Sequence, residues 1–158
     1  MDMHQIVLAM EIFLHDLFTV IWIGGLFTLG VIVLPAVKKV LEKGPQTKAF
    51  MGAIQKRLGL LVYLSMAGLI ITGLQLAKHA PSFQGLFSFE NQYAIFLSLK
   101  HLLVLAMVAA ALFRSLFLNQ ARTLSVQSRE KWSDLVLALN IILGIGVLLL
   151  SGFSAALG

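Results

Sequence analysis

An all-α integral membrane fold, a four-helix bundle, is what this sequence predicts, on three observations. Of the 158 residues, 59% are hydrophobic and 12% are charged, about half the charge of a soluble domain. Four uninterrupted apolar runs are each long enough for the roughly 20 helical residues that a hydrocarbon core requires. The charges fall mostly between those runs rather than along them.

The runs are Leu17 to Val37, Leu58 to Ala77, Ala94 to Phe113 and Leu135 to Phe153. Lipid leaves no water to satisfy a backbone, so only helices or closed barrels cross it. Runs without period-two alternation select helices. The expected helices cover about residues 6–37, 57–79, 92–117 and 132–154 of a single domain spanning 1–158. Short connections make neighbours antiparallel. Pro35 near the end of the first helix and Ala80, Pro81 and Ser82 after the second read as stop signals. Gly85 and the stretch from Ser88 to Asn91 read as a short loop. Gly24, Gly25, Gly30, Gly68, Gly73, Gly144 and Gly146 read as places where helices approach closely.

The net charge of +5 belongs to topology rather than to nucleic acid. The first connection holds Lys38, Lys39, Lys43, Lys48, Lys56 and Arg57 against Glu42, and the third holds Arg114, Arg122, Arg129 and Lys131 against Glu130 and Asp134. Ten of the 12 basic residues therefore lie on one side, which the positive-inside rule makes cytoplasmic. Both termini are then expected on the outer, periplasmic or extracellular, side of a multi-pass protein of the cell (inner or plasma) membrane. The segment from Met1 to Glu11 has no basic residue, unlike the start of a signal peptide. Without cysteine, disulfides, thiolate metal sites and cysteine nucleophiles are excluded.

This topology collects the four histidines on the outer side. His15 is 20 residues before Pro35, about 30 Å along a helix, and His79 is 22 residues beyond Arg57, about 33 Å. His101 lies 13 residues before Arg114, about 20 Å, and His4 about 16 Å above His15. Glu11, His15, Asp16, Lys100 and His101 are ionisable residues in or beside the spans, where such groups mark a pathway, a pair or a cofactor. One account is internal pairing: Asp16 or Glu11 with Lys100, and His15 with Glu11 one turn earlier. Another is axial ligation of haem b between facing helices, by His15 with His101 or by either with His79. Trp22, two turns from His15, and Phe18 then pack against the ring edge, while Lys78 and Lys100 neutralise propionates. A third is copper, for which Met1, Met3 and His4 offer a terminus and His15, His79 and His101 imidazoles. Met66 and Met107 read as core filler.

The stretch from His15 through Trp22, Gly24 and Gly25 to Phe27, ending in Leu34 and Pro35, resembles the first helix of the CopD-like (copper resistance D) membrane domain. It is also similar to the distantly related HemJ-type protoporphyrinogen oxidases. Arg57 to Leu60 with Ile71 to Leu74, and Leu99, Lys100 and the leucines after His101, resemble the second and third helices of both groups. The resemblance covers about three quarters of the chain. It implies that His15 is a haem-binding histidine and Lys100 a functional lysine in the oxidase type, and that the chain takes part in copper uptake or resistance in the CopD type. His101 departs from both patterns, where an apolar residue is usual, and so supplies a second candidate ligand.

The leading expectation is a b-type haem protein that transfers electrons near the outer surface, with bis-histidine ligation and a quinone or external redox partner. The alternatives are a HemJ-like haem-dependent oxidase and a copper uptake or resistance protein, so enzyme activity is left open. The lipid bilayer is the expected surrounding partner, nucleic acid is not a partner, and glycine-bearing helices make a homodimer available.

Overall fold

The computed structural model describes residues 2–41, 44–79, 89, 92–118 and 125–157, and among these every regular element is helical. Four of the helices are long and apolar enough to cross a membrane, making this a multi-pass membrane protein. Met1, Glu42, Lys43, Ala80, Pro81, Ser82, Gly85, Ser88, Glu90, Asn91 and Arg122 lie outside the described residues, and with them the expected stop signal and most of the expected loop.

Helix α1 runs Met3–Val40, three residues longer at each end than expected. Its start is fixed by a capping box: the Asp2 carboxylate accepts from the Gln5 backbone N–H at 2.8 Å, and the Gln5 side chain accepts from the Asp2 N–H at 3.1 Å. These bonds satisfy two of the donors that a helix start leaves open. Extended backbone at Leu41 (φ −103°, ψ 132°) ends it. Pro35 does not stop the helix. Two wide π turns, Val20–Gly24 and Thr28–Val33, interrupt the α geometry, the second just before Leu34 and Pro35. Proline lacks an N–H and its ring crowds the carbonyl four residues back; a wide turn there lets the helix continue through it.

Helix α2 runs Pro45–His79, beginning twelve residues earlier than expected. An apolar run marks only the part that needs lipid. The residues before it, including Lys48, Ala49, Met51, Ala53, Gln55, Lys56 and Arg57, are mostly good helix formers that extend the helix in water. Proline as its first residue suits a position whose N–H needs no intrahelical partner. Helix α3 runs Gln92–Leu112 and continues as a π turn, Phe113–Leu118. Helix α4, Val126–Leu157, starts six residues before its expected position. Ser125 precedes it and caps it, its Oγ accepting from the Ser128 N–H at 3.2 Å while its hydroxyl donates to the Ser128 Oγ at 2.9 Å.

The contacts divide into two compact units, Met1–His79 and Ala80–Gly158, each built on one helix pair. In the first, α1 and α2 are antiparallel: His15 packs at Gly73, Phe18 at Gly68 and Gly25 at Leu58. A Cβ at Gly68 would strike the Phe18 ring, and one at Gly25 would stand 2.8 Å from Leu58 Cδ1. These glycines set the helix separation, as the sequence suggested. Gly24 faces open space instead. In the second unit Phe96 stacks on Phe153, with centroids 5.6 Å apart, and Leu103 lies at Gly146. Seven residues forward on α3 thus match seven backward on α4.

Trp22, Leu26, Leu29, Val62, Met66 and Ala77 are buried in the first unit, and Ala94, Met107, Val136, Leu137 and Val147 in the second. Met66 and Met107 are core filler as expected. Large side chains such as Ile32, Ile70, Ile71, Ile142 and Leu149 are exposed, the surface that a chain solvated by lipid presents.

Candidate functional site

The face of α1 turned to α2 carries His4, Leu8, Glu11, His15, Phe18 and Trp22, at helical spacings of four, three, four, three and four. Three of these positions bear ionisable groups. Each has a distinct environment.

His15 belongs to a hydrogen-bond chain. The Thr72 hydroxyl donates to the Gly68 carbonyl at 2.8 Å, and His15 Nδ1 is 2.9 Å from the same hydroxyl oxygen. A hydroxyl has one proton, so His15 Nδ1–H is the donor to Thr72. In the neutral ring the lone pair then resides on Nε2. Gly73 leaves room for the ring: a Cβ there would lie 3.4 Å from His15 Cε1. The Thr19 hydroxyl donates to the His15 carbonyl at 2.9 Å, immediately before the first π turn. Trp22, 2% exposed, lies at the centre of that turn, and its Nε1 is buried with no hydrogen-bond partner among the described residues.

His79 is the last residue of α2. Its Nδ1–H donates to the Gln75 carbonyl at 2.9 Å. Glu11 Oε2 is 3.7 Å from the same nitrogen, and the His4 ring meets the His79 ring edge to face with centroids 5.5 Å apart. The Glu11 side chain is 14% exposed, against 39% for His79, and its Oε2 is shielded from water with no hydrogen-bond partner among the described residues. Thr72 and His79 are seven residues apart on α2, about 10 Å along the axis. His15 and His79 therefore address different levels of the seam. Lys78 is exposed beside His79.

His101 lies on α3, in the second unit. Its Nδ1–H donates to the Leu97 carbonyl at 2.7 Å, which again places the neutral-ring lone pair on Nε2. Lys100 and His101 are both half-buried. Asn140, on α4, is 2% exposed and its Oδ1 has no hydrogen-bond partner among the described residues. A shallow apolar cavity of about 290 Å³ lies between Gln92, Ile95, Phe96, Phe153 and Ala156.

All three of these histidines hold Nδ1–H on a fixed oxygen, the outer-shell arrangement that orients an imidazole whose Nε2 serves as ligand. The acceptors were not foreseen from sequence. For His79 and His101 they are carbonyls four residues back, available to any helical histidine. Thr72 is more specific, and in sequence it stood only within the stretch Ile71 to Leu74. The pairing of Glu11 with His79 also escaped notice, because it joins residues 68 apart. Among the described residues no three His, Cys, Asp or Glu side chains are grouped so that they could hold a metal ion. No family model, curated protein or solved structure matches the chain.

Proposed function

We propose that the chain is a b-type haem-binding membrane protein that transfers electrons near the outer membrane surface, with His15 and His101 each offered as a haem ligand. The observation that carries the reading is the Thr72 bridge. It fixes the His15 ring by Nδ1–H and assigns its Nε2 as the donor nitrogen, in a span where an ionisable side chain needs a reason. Within the second unit, His101 likewise has its Nδ1–H held, by the Leu97 carbonyl. The donor chemistry fits haem: neutral imidazoles, no thiolate, and a buried indole N–H at Trp22 available to an acceptor. Bound haem supplies reversible one-electron exchange at iron, and two imidazole ligands favour electron transfer over oxygen chemistry.

The protein's own part is to hold the imidazoles, in a first unit whose buried core includes Trp22 and Met66. Lys100 and Lys78 are the cations assigned to propionates. His79, at another level and engaged with Glu11 and His4, is not assigned to the same iron as His15. The resemblance of the His15 helix to CopD-like and HemJ-type domains supports a metal or tetrapyrrole ligand at this position. The basic connections favour the outer side for the His4 and His79 end of the first helix pair.

The test is a reduced-minus-oxidised absorption spectrum, with pigment extraction and metal quantification on one purified sample. Paired-imidazole haem bands that disappear on replacing His15 or His101 are the expected result. A colourless protein that takes up no added haem defeats the reading. Copper without porphyrin transfers it to copper handling, and oxidation of protoporphyrinogen dependent on His15 and Lys100 transfers it to the oxidase class.

A further inference from the structure

We infer that the face of α2 turned away from α1 binds one anionic phospholipid, its phosphate held by Lys48, Lys56 and Arg57 and its acyl chains laid along the helix beyond them. The face is defined by what it opposes. Leu58, Val62 and Ser65 form the contact side of this stretch of α2, the first against Gly25 and the other two buried. Lys56, Leu60, Tyr63, Ala67 and Ile70, spaced four, three, four and three, fall on the opposite side. All five are exposed.

Along this stripe the chemistry changes once, from cation to hydrocarbon. Lys48, Lys56 and Arg57 are exposed at the end where the apolar run begins. Lys48 and Lys56 are eight residues apart, about 12 Å along the axis. Long basic side chains lay their stems on apolar surface and carry the charge toward water, so Lys56 and Arg57 reach toward Lys48 past Gly52. At Gly52 and again at Gly59 nothing stands within 4 Å of where a Cβ would be, which leaves bare backbone among the cations and one turn beyond them.

Charge complementarity names the occupant. Glu42 is the only acidic residue between Asp16 and Glu90, so α2 has no carboxylate of its own to neutralise these cations. A soluble anion would answer the charge and leave the rest of the stripe unexplained. From Lys56 to Ile70 the face runs about 21 Å into the span, through Leu60 and Ala67. Tyr63 joins the two parts. Side chains on a helix lean toward its start, here the basic end, and a phenolic hydroxyl at that level suits the ester carbonyls of a lipid, an apolar body with a polar tip at the membrane boundary.

Full-length protein purified and delipidated in an uncharged detergent, then titrated with phosphatidylglycerol or phosphatidylcholine of matched chains and read by native mass spectrometry, tests the inference. One phosphatidylglycerol per chain is expected, held at least about tenfold more tightly than phosphatidylcholine. Lys48→Gln, Lys56→Gln and Arg57→Gln should each weaken it about fivefold, and the triple variant about 100-fold. Lys131→Gln, in the second unit, should bind like the wild type. Gly59→Leu keeps every charge but fills the bare backbone, and should weaken binding about fivefold or more; its exposed position spares the fold, which thermal unfolding without lipid checks. Equal retention of the two lipids overturns the inference. So does a Gly59→Leu chain that binds like the wild type, because charge alone is then enough. Glycerol phosphate that competes as well as the lipid makes a soluble anion the occupant, and a lipid-free dimer dissociated by Gly59→Leu assigns the face to a second copy; either result also overturns it. None of these readouts depends on pigment, so the haem reading stands or falls separately.

Discussion

Thr72 gives its only hydroxyl proton to the Gly68 carbonyl and so turns a lone pair toward His15. Valine has the same shape and no oxygen. In Thr72→Val the His15 Nδ1–H loses the Thr72 acceptor, which should cost about 1–3 kcal/mol in unfolding free energy and, on the proposed haem reading, weaken haem retention about 10- to 100-fold. Thr72→Ser should keep both near wild type; equal behaviour of the valine and serine variants would refute the bridge. Gly68 makes a second prediction at this scale, since an added methyl would strike Phe18. Gly68→Ala should lose about 1–3 kcal/mol by overpacking, and Phe18→Leu in the same chain should restore part of it. Gly52→Ala, where nothing stands within 4 Å of the new Cβ, should instead gain up to about 1 kcal/mol from helix propensity. Thermal unfolding in detergent reads all three. If Gly68→Ala is as stable as Gly52→Ala, the close contact is not what the helix pair depends on.

At the level of elements, the sequence revealed where lipid must be and less about where helices begin. The apolar runs place the middles of all four helices correctly, because hydropathy is what a bilayer selects. α2 and α4 extend twelve and six residues earlier than expected, because their first turns are held by propensity and caps. Ser125 was legible as an N-cap candidate only after α4 was placed. Ser125→Ala should destabilise α4 by about 1 kcal/mol, seen as faster amide exchange confined to its first turn; uniform exchange along α4 would contradict a local cap. Pro35 misled for a related reason. A proline reads as a stop in sequence, yet the π turn Thr28–Val33 carries the helix past it to Val40. Glycine was read more successfully: Gly25, Gly68, Gly73 and Gly146 all meet a facing side chain. The candidate residues His15, His79 and His101 were evident in sequence as ionisable groups in or beside apolar runs. Their acceptors and the Glu11 partnership were not, since these depend on helix register.

For the whole molecule, the sidedness of the basic residues is the testable property. The chain has no cysteine, so a single introduced thiol reports its own location. Lys39→Cys and Lys131→Cys should react with a membrane-impermeant maleimide only after the cytoplasmic face is opened, whereas Asp2→Cys should react in intact cells. The reverse pattern would invert the topology and move the His4 and His79 end to the cytoplasm. The division of the contacts at His79 and Ala80 has a further consequence, in the order of biogenesis. The interlocking of Phe18 with Gly68 and of His15 with Thr72 and Gly73 lies wholly within the first 79 residues. At ordinary translation rates the remaining half takes about 4–16 s to make. The first hairpin therefore has time to enter the bilayer and close on its own glycines while the ribosome is still supplying the second.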